Sequence, residues 1–320
     1  MEVIPRASRI CGGVGFAPYA MTGSEELGEN IAAEFRRGNR AVIMENHGTV
    51  VGGRDLDEAF ARFEVFECVA RTVVNASRLG SPRPLAAGEA DRHEAPENTE
   101  LPSSSRVTVG EHDTVRRQEL VDMVRRAYDQ GMLLPCFGSL SVRLDHDDFL
   151  VTPRDMICTD ITPADIVCVR DGRGEEGKAP SRAACSHRAI YSAHPEIGAV
   201  ITARPPHLMA FAVAGVKPEV RTIPESWLFL QDMPLAEFGA PCVDGERFSA
   251  LFGPGSPAVL VANDAVYVTG SCLLEAFDRL EVAEFTARSL LMSRSLGELS
   301  RISDRQIDEL KKQFFPGREG

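Results

Sequence analysis

Residues 41–80 read AVIMENHGTVVGGRDLDEAFARFEVFECVARTVVNASRLG, and residues 258–297 read AVLVANDAVYVTGSCLLEAFDRLEVAEFTARSLLMSRSLG. The two stretches align without a gap at an offset of 217, with 17 identities in 40 positions. Agreement of that length marks an internal repeat, which has to be settled before any local reading of the fold. In the first copy a strand at Val42–Met44, a turn at Asn46 to Gly48 and a strand at Thr49–Val51 lead into a helix over about Leu56–Arg78. Ala59, Phe63, Phe66, Ala70 and Val73 recur at spacings of three and four, which puts them on one helical face.

The copies stand in unequal surroundings. About 145 residues of globular sequence, beginning near Thr114, precede the second copy, and only 40 precede the first. Residues 1–80 are therefore expected to form a partial unit, the back half of a domain, and residues 114–300 a complete one. Residues 81–113 are rich in Pro, Ser, Ala and Glu without apolar periodicity and read as a linker, with His93 and His112 as solvated side chains. Residues 301–320 add a terminal helix with Ile307, Leu310 and Phe314 on one side.

Within the second unit, a helix over Thr114–Gln130 carries the stripe Leu120, Val124, Ala127 and Tyr128 and closes on Gly131. Strands follow at Ser139–Arg143, Phe149–Thr152 and Ile166–Val169, then a helix over Arg182–Ala193 and a buried strand at Ala199–Thr202. Interspersed strands and helices predict a layered α/β fold.

Composition bounds the function. At roughly 100–200 residues per domain, 320 residues allow two domains, and 43% hydrophobic with 26% charged residues suffices for a sizeable core. The net charge of −12, from 47 acidic and 35 basic side chains, repels phosphate backbones and anionic headgroups, so neither nucleic acid nor a membrane surface is an expected partner. Without a long apolar run or a basic, then apolar start, the chain is expected to be cytoplasmic. The eight cysteines (Cys11, Cys68, Cys136, Cys158, Cys168, Cys185, Cys242, Cys272) form no C-x-x-C pair and read as reduced thiols packed as small apolar residues.

The second unit resembles the class II aldolase/adducin superfamily. The resemblance is carried by Gly138-Ser139-Leu140-Ser141-Val142-Arg143, Val151-Thr152-Pro153 and Ala179-Pro180-Ser181 with His187-Arg188-Ala189-Ile190-Tyr191. Gly198-Ala199-Val200-Ile201 running into Pro205-Pro206-His207, and Asn263 to Gly270, complete it. Ala17-Pro18-Tyr19, Gly23-Ser24-Glu25-Glu26-Leu27 and Asn46-His47-Gly48 extend it to residues 12–80. The resemblance implies a three-layer α/β/α fold around a mixed, largely antiparallel sheet. It also implies the chemistry of metal-dependent sugar-phosphate aldolases, epimerases and a dehydratase, or the non-catalytic role of adducin heads. In the family, a His-x-His and the His of Asn-His-Gly hold a divalent ion, usually zinc, which stabilises an enediolate, and the Glu of Pro-Ser-Ser-Glu is the acid/base.

This sequence departs from that pattern at each position. The His-x-His becomes Thr202-Ala203-Arg204, Asn-His-Gly becomes Asn263-Asp264-Ala265, and the acid/base position is Ala183. A guanidinium, always cationic, repels a metal ion, so Arg204 and Asp264 are expected to form a buried ion pair in the ion's place. His47 is the one retained ligand-type residue and reads as a hydrogen-bonded histidine at a strand end. His187 reads as helix packing, His207 as a lone imidazole near the site, and Trp227 as an apolar anchor near a subunit contact.

The phosphate loops differ too. Cys136-Phe137-Gly138-Ser139 stands for Thr-Ser-Gly-Asn, Thr152-Pro153-Arg154-Asp155 for Thr-Pro-Ser-Gly, and Pro180-Ser181-Arg182-Ala183 for Pro-Ser-Ser-Glu. Gly138, Ser139, Thr152, Arg154, Ser181 and Arg182, with Arg204, are thus candidates for holding an anionic metabolite. The alternative for Arg154 and Arg182 is a surface or subunit-interface role.

These residues point to a family member without zinc or catalysis, acting as a structural or regulatory subunit in a homo-oligomer, a dimer or tetramer. One alternative is a part of a zinc-dependent carbon–carbon lyase whose intact site comes from an upstream segment or a partner chain. The other is a binding module for an anionic sugar.

Overall fold

A computed structural model describes residues 3–86, 88–89, 100–105, 107, 111–135 and 137–315, so His93 and Cys136 lie outside the described residues, as does the side chain of His112. The chain opens with α1 (Pro5–Cys11), β1 (Gly13–Ala17), α2 (Glu25–Arg36), β2 (Asn39–Met44), β3 (Gly48–Val51) and α3 (Leu56–Ala76). Then come β4 (Ser103–Ser104), α4 (Glu111–Asp129), β5 (Ser139–Asp145), β6 (Asp148–Val151), β7 (Val167–Arg170), β8 (Arg173–Glu175), α5 (Ala184–Ala193) and β9 (Ala199–Ala203). After α6 (Pro206–Ala214), α7 (Pro224–Leu230), β10 (Leu235–Ala236), α8 (Ala240–Val243) and α9 (Gly245–Ser249), the second copy of the repeat supplies β11 (Ala258–Val261), β12 (Val266–Gly270) and α10 (Leu273–Ser293). The last helix is α11 (Asp304–Phe314).

The repeated residues fold alike because they meet the same local demands. Asn46 and Asn263 turn their hairpins at φ 58° and 56°, a left-handed conformation that asparagine tolerates. Glu58 accepts the backbone N–H of Arg54 at 2.6 Å, and its counterpart Glu275 accepts that of Ser271 at 2.7 Å, so each helix start is capped from within. Arg62 and Arg279 then bind those glutamates at 2.8 and 2.6 Å. At Gly53 and Gly270 a Cβ would stand 2.5 Å from the backbone nitrogen of Ala59 and Ala276, so only glycine lets the helix fold back onto its strand.

β1, β2 and β3 form a three-stranded sheet in which β1 runs parallel to β2 and β3 antiparallel. β10, β11 and β12 repeat that arrangement at one end of a nine-stranded sheet of order β10-β11-β12-β9-β5-β6-β7-β8-β4. Only the pairs β10–β11 and β4–β8 of this sheet are parallel, so it is mixed and largely antiparallel. Apolar clusters on its two faces lie under helices, giving three layers. The larger one takes in Leu120, Ile201, Met209 and Phe277 together with Ile4, Ala7, Val65 and Val69, so α1 and α3 share the core of the second copy.

Sequence and structure part in places. Ser103–Ser104 lies in the stretch read as linker yet pairs parallel with β8, and the Arg83 N–H donates to the carbonyl of Val213 at 2.9 Å. Backbone bonds at a sheet edge require no apolar side chain, so hydropathy gives no sign of them. Trp227, read as an apolar anchor, is 5% exposed and meets Phe315 edge-on at 6.2 Å between ring centres. Among the described residues Cys11, Cys68, Cys158 and Cys168 are buried, Cys272 is exposed, and no helix is long and apolar enough to cross a membrane.

Asn263 ties the N-terminal segment to the second hairpin, its side-chain amide donating to the carbonyls of Val3 at 2.8 Å and Arg83 at 2.7 Å. Asn263→Ala is expected to cost about 2 kcal/mol, from two lost bonds and a residue less suited to positive φ. Denaturant midpoints check the value. Faster amide exchange over Ile4–Cys11 checks the location, and unchanged exchange there would refute the tether.

Candidate active site

β5 and β9 lie side by side at the middle of the large sheet, with Ser139 opposite Thr202. Arg204 follows β9 directly, and Asp264 sits in the turn between β11 and β12 beside it. The Arg204 Nη2 donates to Asp264 Oδ1 at 2.5 Å, and the guanidinium carbon lies 5.1 Å from the centre of the Phe137 ring. The two side chains are 14% and 23% exposed. The pair thus occupies two of the three positions that correspond to metal ligands in the resemblance.

The third position, Thr202, is also committed. Its hydroxyl lies 2.7 Å from Nε2 of the fully buried His187, whose Nδ1 lies 2.8 Å from the Ser141 hydroxyl. Ser141 in turn meets the Tyr191 hydroxyl at 2.8 Å. Burial pushes the His187 imidazole down to about 3, so the ring is neutral, with one nitrogen donating and the other accepting. His187, read from sequence as helix packing, is the centre of a polar network under the site. Zinc does not fit these residues. The one imidazole has both nitrogens engaged by hydroxyls, the carboxylate is neutralised by an arginine, and among the described residues no three His, Cys, Asp or Glu side chains gather to hold a metal.

A cavity of about 90 Å³, room for several waters or a small anionic group, opens beside the pair. Arg6, Arg154, Arg182 and Arg204 border it, against two carboxylates, Asp155 and Asp264. Gly138, Ser139 and Ser181 line it, and so does Ala183, at the position that the resemblance gives to the acid/base. Thr152, expected among these, is instead fully buried behind Ser139, its Oγ1 3.3 Å from the serine Oγ and accepting the Leu140 N–H at 3.2 Å. It directly follows β6.

Arg154 binds Glu100 at 2.7 Å, while Arg182 binds Asp155 at 3.1 Å and Arg6 binds the same carboxylate oxygen. Burial works to raise the Asp155 carboxyl, but the bonds and charges of Arg182 and Arg6 outweigh it and hold it below the usual aspartate value. Neither His47 nor His207 lines the cavity. Nε2 of His47 donates to the Ala20 carbonyl at 2.8 Å with Tyr19 edge-on, and His207 Nδ1 lies 2.6 Å from Glu284, which also caps α6 through the Leu208 N–H. Sequence reasoning missed Arg6, Tyr267 and Cys242 as lining residues. Arg6 and Cys242 lie outside the quoted motifs, and Tyr267, though within the Asn263 to Gly270 segment, was not singled out there; their place at the site depends on tertiary packing.

Curated proteins similar to this chain include the 3-oxo-tetronate 4-phosphate decarboxylase of Haemophilus influenzae, 29% identical over 211 residues that make up 63% of this chain and 98% of that protein. The 3-oxo-tetronate 4-phosphate decarboxylase of Cupriavidus necator is 30% identical over 189 residues, 58% of this chain and 82% of that protein. Among solved structures, YgbL from Escherichia coli superposes with a TM-score of 0.57 at 23% identity, covering 63% of this chain and 100% of that one, which speaks to the fold. Residues 3–74 and 118–291 match the class II aldolase and adducin N-terminal domain. Those segments span well over half of the chain and most of both copies of the repeat, so this chain belongs to the class II aldolase and adducin N-terminal domain family.

Proposed function

We propose that this chain acts on a phosphorylated sugar acid in the arginine-lined cavity, and that the reaction its side chains suit is decarboxylation of a β-keto acid without zinc. The observation that carries this reading is the Arg204–Asp264 pair bordering the cavity where a metal would otherwise be held. Retro-aldol cleavage requires a base to take a hydroxyl proton, and Ala183 supplies none. Loss of carbon dioxide from a β-keto acid requires no base. The bond between the carboxylate carbon and the α-carbon breaks, its electron pair moves through the α-carbon to the β-carbonyl oxygen, and the enolate takes a proton from solvent. A fixed cation near that oxygen stabilises the developing charge, and Arg204, which borders the cavity, is the residue to which we assign that role. The names of the similar decarboxylases support the substrate class.

Carbon dioxide release from 3-oxo-tetronate 4-phosphate tests the reading. Turnover is expected to survive chelator and to fall by about 100-fold in Arg204→Gln, on the scale of losing one charge-stabilising donor. Loss of turnover with chelator, or no turnover at all, would overturn it. The second reading, a structural or regulatory subunit, rests on Ala183 and on the same pair standing where catalytic groups would be.

A homo-oligomer remains our proposal for the assembly. Phe60 is 54% exposed where its counterpart Phe277 is fully buried, and Leu56 is 82% exposed where Leu273 is 7%. Burying such a side chain is worth about 1.5–3 kcal/mol, which favours a covering partner.

A further inference from the structure

We infer that the cleft between α7 and α11 is a binding site for a small polyanion, a metabolite with two or more acidic groups. It shares no lining residue with the arginine-lined cavity and stands whether or not the chain is a decarboxylase.

The cleft holds about 670 Å³, within the roughly 300–1,000 Å³ of small-molecule sites. Residues 217–221 after α6, the end of α7 and residues 301–311 wall it, together with Gly255. These walls are fixed to one another. The Ile302 N–H donates to the Arg221 carbonyl at 2.8 Å, Ile307 is buried, and a capping box at Ser303 starts α11. The cleft is thus formed before a ligand arrives, and binding requires little further ordering.

Charge gives the ligand class. Lys217, Arg221, Arg301 and Lys311 line the cleft against Glu219 and Asp232, in a chain whose net charge is −12. Lys217 binds Asp232, and Arg301 binds Glu219 at 3.0 Å. Arg221 and Lys311 reach Asp304 at 2.6 Å and Asp308 at 3.9 Å, carboxylates outside the lining that are 90% and 65% exposed. Exposed pairs of this kind are worth little. A ligand with two acidic groups meets several of the cations at once within a concave wall, which outweighs the single pairs. A monoanion offers no more than the carboxylates already in place.

Gln231 is an independent sign of a site. It lines the cleft at φ 53° and ψ −103°, a positive φ in a residue that is not glycine. Its N–H donates to the Trp227 carbonyl at 2.8 Å and its Nε2 to that of Leu228 at 3.3 Å, so the turn is held in that costly conformation. Backbone strain of this sort gathers at ligand sites.

Trp227 is the single tryptophan of the chain and lines the cleft, so its fluorescence reports on this site. The full chain is titrated with citrate and, separately, with pyrophosphate, at constant ionic strength and pH 7.5. Each should shift that emission and give a saturable heat in calorimetry, while acetate at matched ionic strength should do neither. Arg221→Gln and Lys311→Gln should each weaken binding by about 5-fold, whereas Arg204→Gln, at the other cavity, should leave it unchanged. Amide exchange over Asp304–Phe314 should slow with citrate bound. No saturable binding of either probe would overturn the inference. So would an equal effect of acetate, or binding that is lost in Arg204→Gln and kept in Arg221→Gln and Lys311→Gln.

Discussion

Arg204→Ala is expected to destabilise the protein by about 2–3 kcal/mol, because it strands the Asp264 carboxylate in a site where only 23% of that side chain meets water. Removing one partner of a fully buried pair costs about 3–5 kcal/mol, and the residual exposure here argues for the lower end. Loss of the stacking on Phe137 adds a little. Replacing the whole pair gives the opposite expectation. Arg204→Met with Asp264→Leu keeps the volume, strands no charge and should lie within about 1 kcal/mol of the parent, while ligand affinity at the cavity is lost. Urea denaturation of the two single variants and the double variant measures the coupling. Single variants that each lose under about 0.5 kcal/mol would show a surface pair of little weight rather than one on which the site depends.

His187→Leu is expected to cost about 3 kcal/mol, since it leaves the hydroxyls of Thr202 and Ser141 buried without the partners that now lie 2.7 and 2.8 Å away. The same residue sets a pH dependence. Its folded-state value of about 3 lies below the ordinary 6.5, so between those pH values the unfolded chain takes up a proton that the folded chain refuses. Stability should therefore fall as pH drops from about 6.5 toward 3, with a slope approaching 1.4 kcal/mol per pH unit from this one group. The leucine variant should lack that component of the slope while remaining less stable at neutral pH. An identical pH slope in both proteins would show that the ring is not the group responsible.

Much of the fold was legible in the sequence. The helix expected over Leu56–Arg78 runs Leu56–Ala76, the one expected over Arg182–Ala193 runs Ala184–Ala193, and the strand read at Ala199–Thr202 extends one residue further. Apolar periodicity records each of these, because burial on one face is a property of the segment itself. The ion pair was legible in a different way. Arg204 and Asp264 fell on two positions of a single site in the resemblance, so opposite charges there implied contact.

What the sequence alone determined was the family, the layered α/β class, the repeat and the absence of three imidazoles from the ligand positions. Those are matters of residue type and order along the chain. Only the tertiary structure decided that α1 and α3 enter the core of the second copy, that Arg6 borders the cavity, that Thr152 stands behind it and that His187 holds Thr202. The reason is physical. Arg6 and Asp155 are 149 positions apart, and their meeting depends on the packing of buried surfaces and on backbone bonds such as that of Asn263 to Val3. No local pattern of hydropathy encodes contacts between segments so distant along the chain.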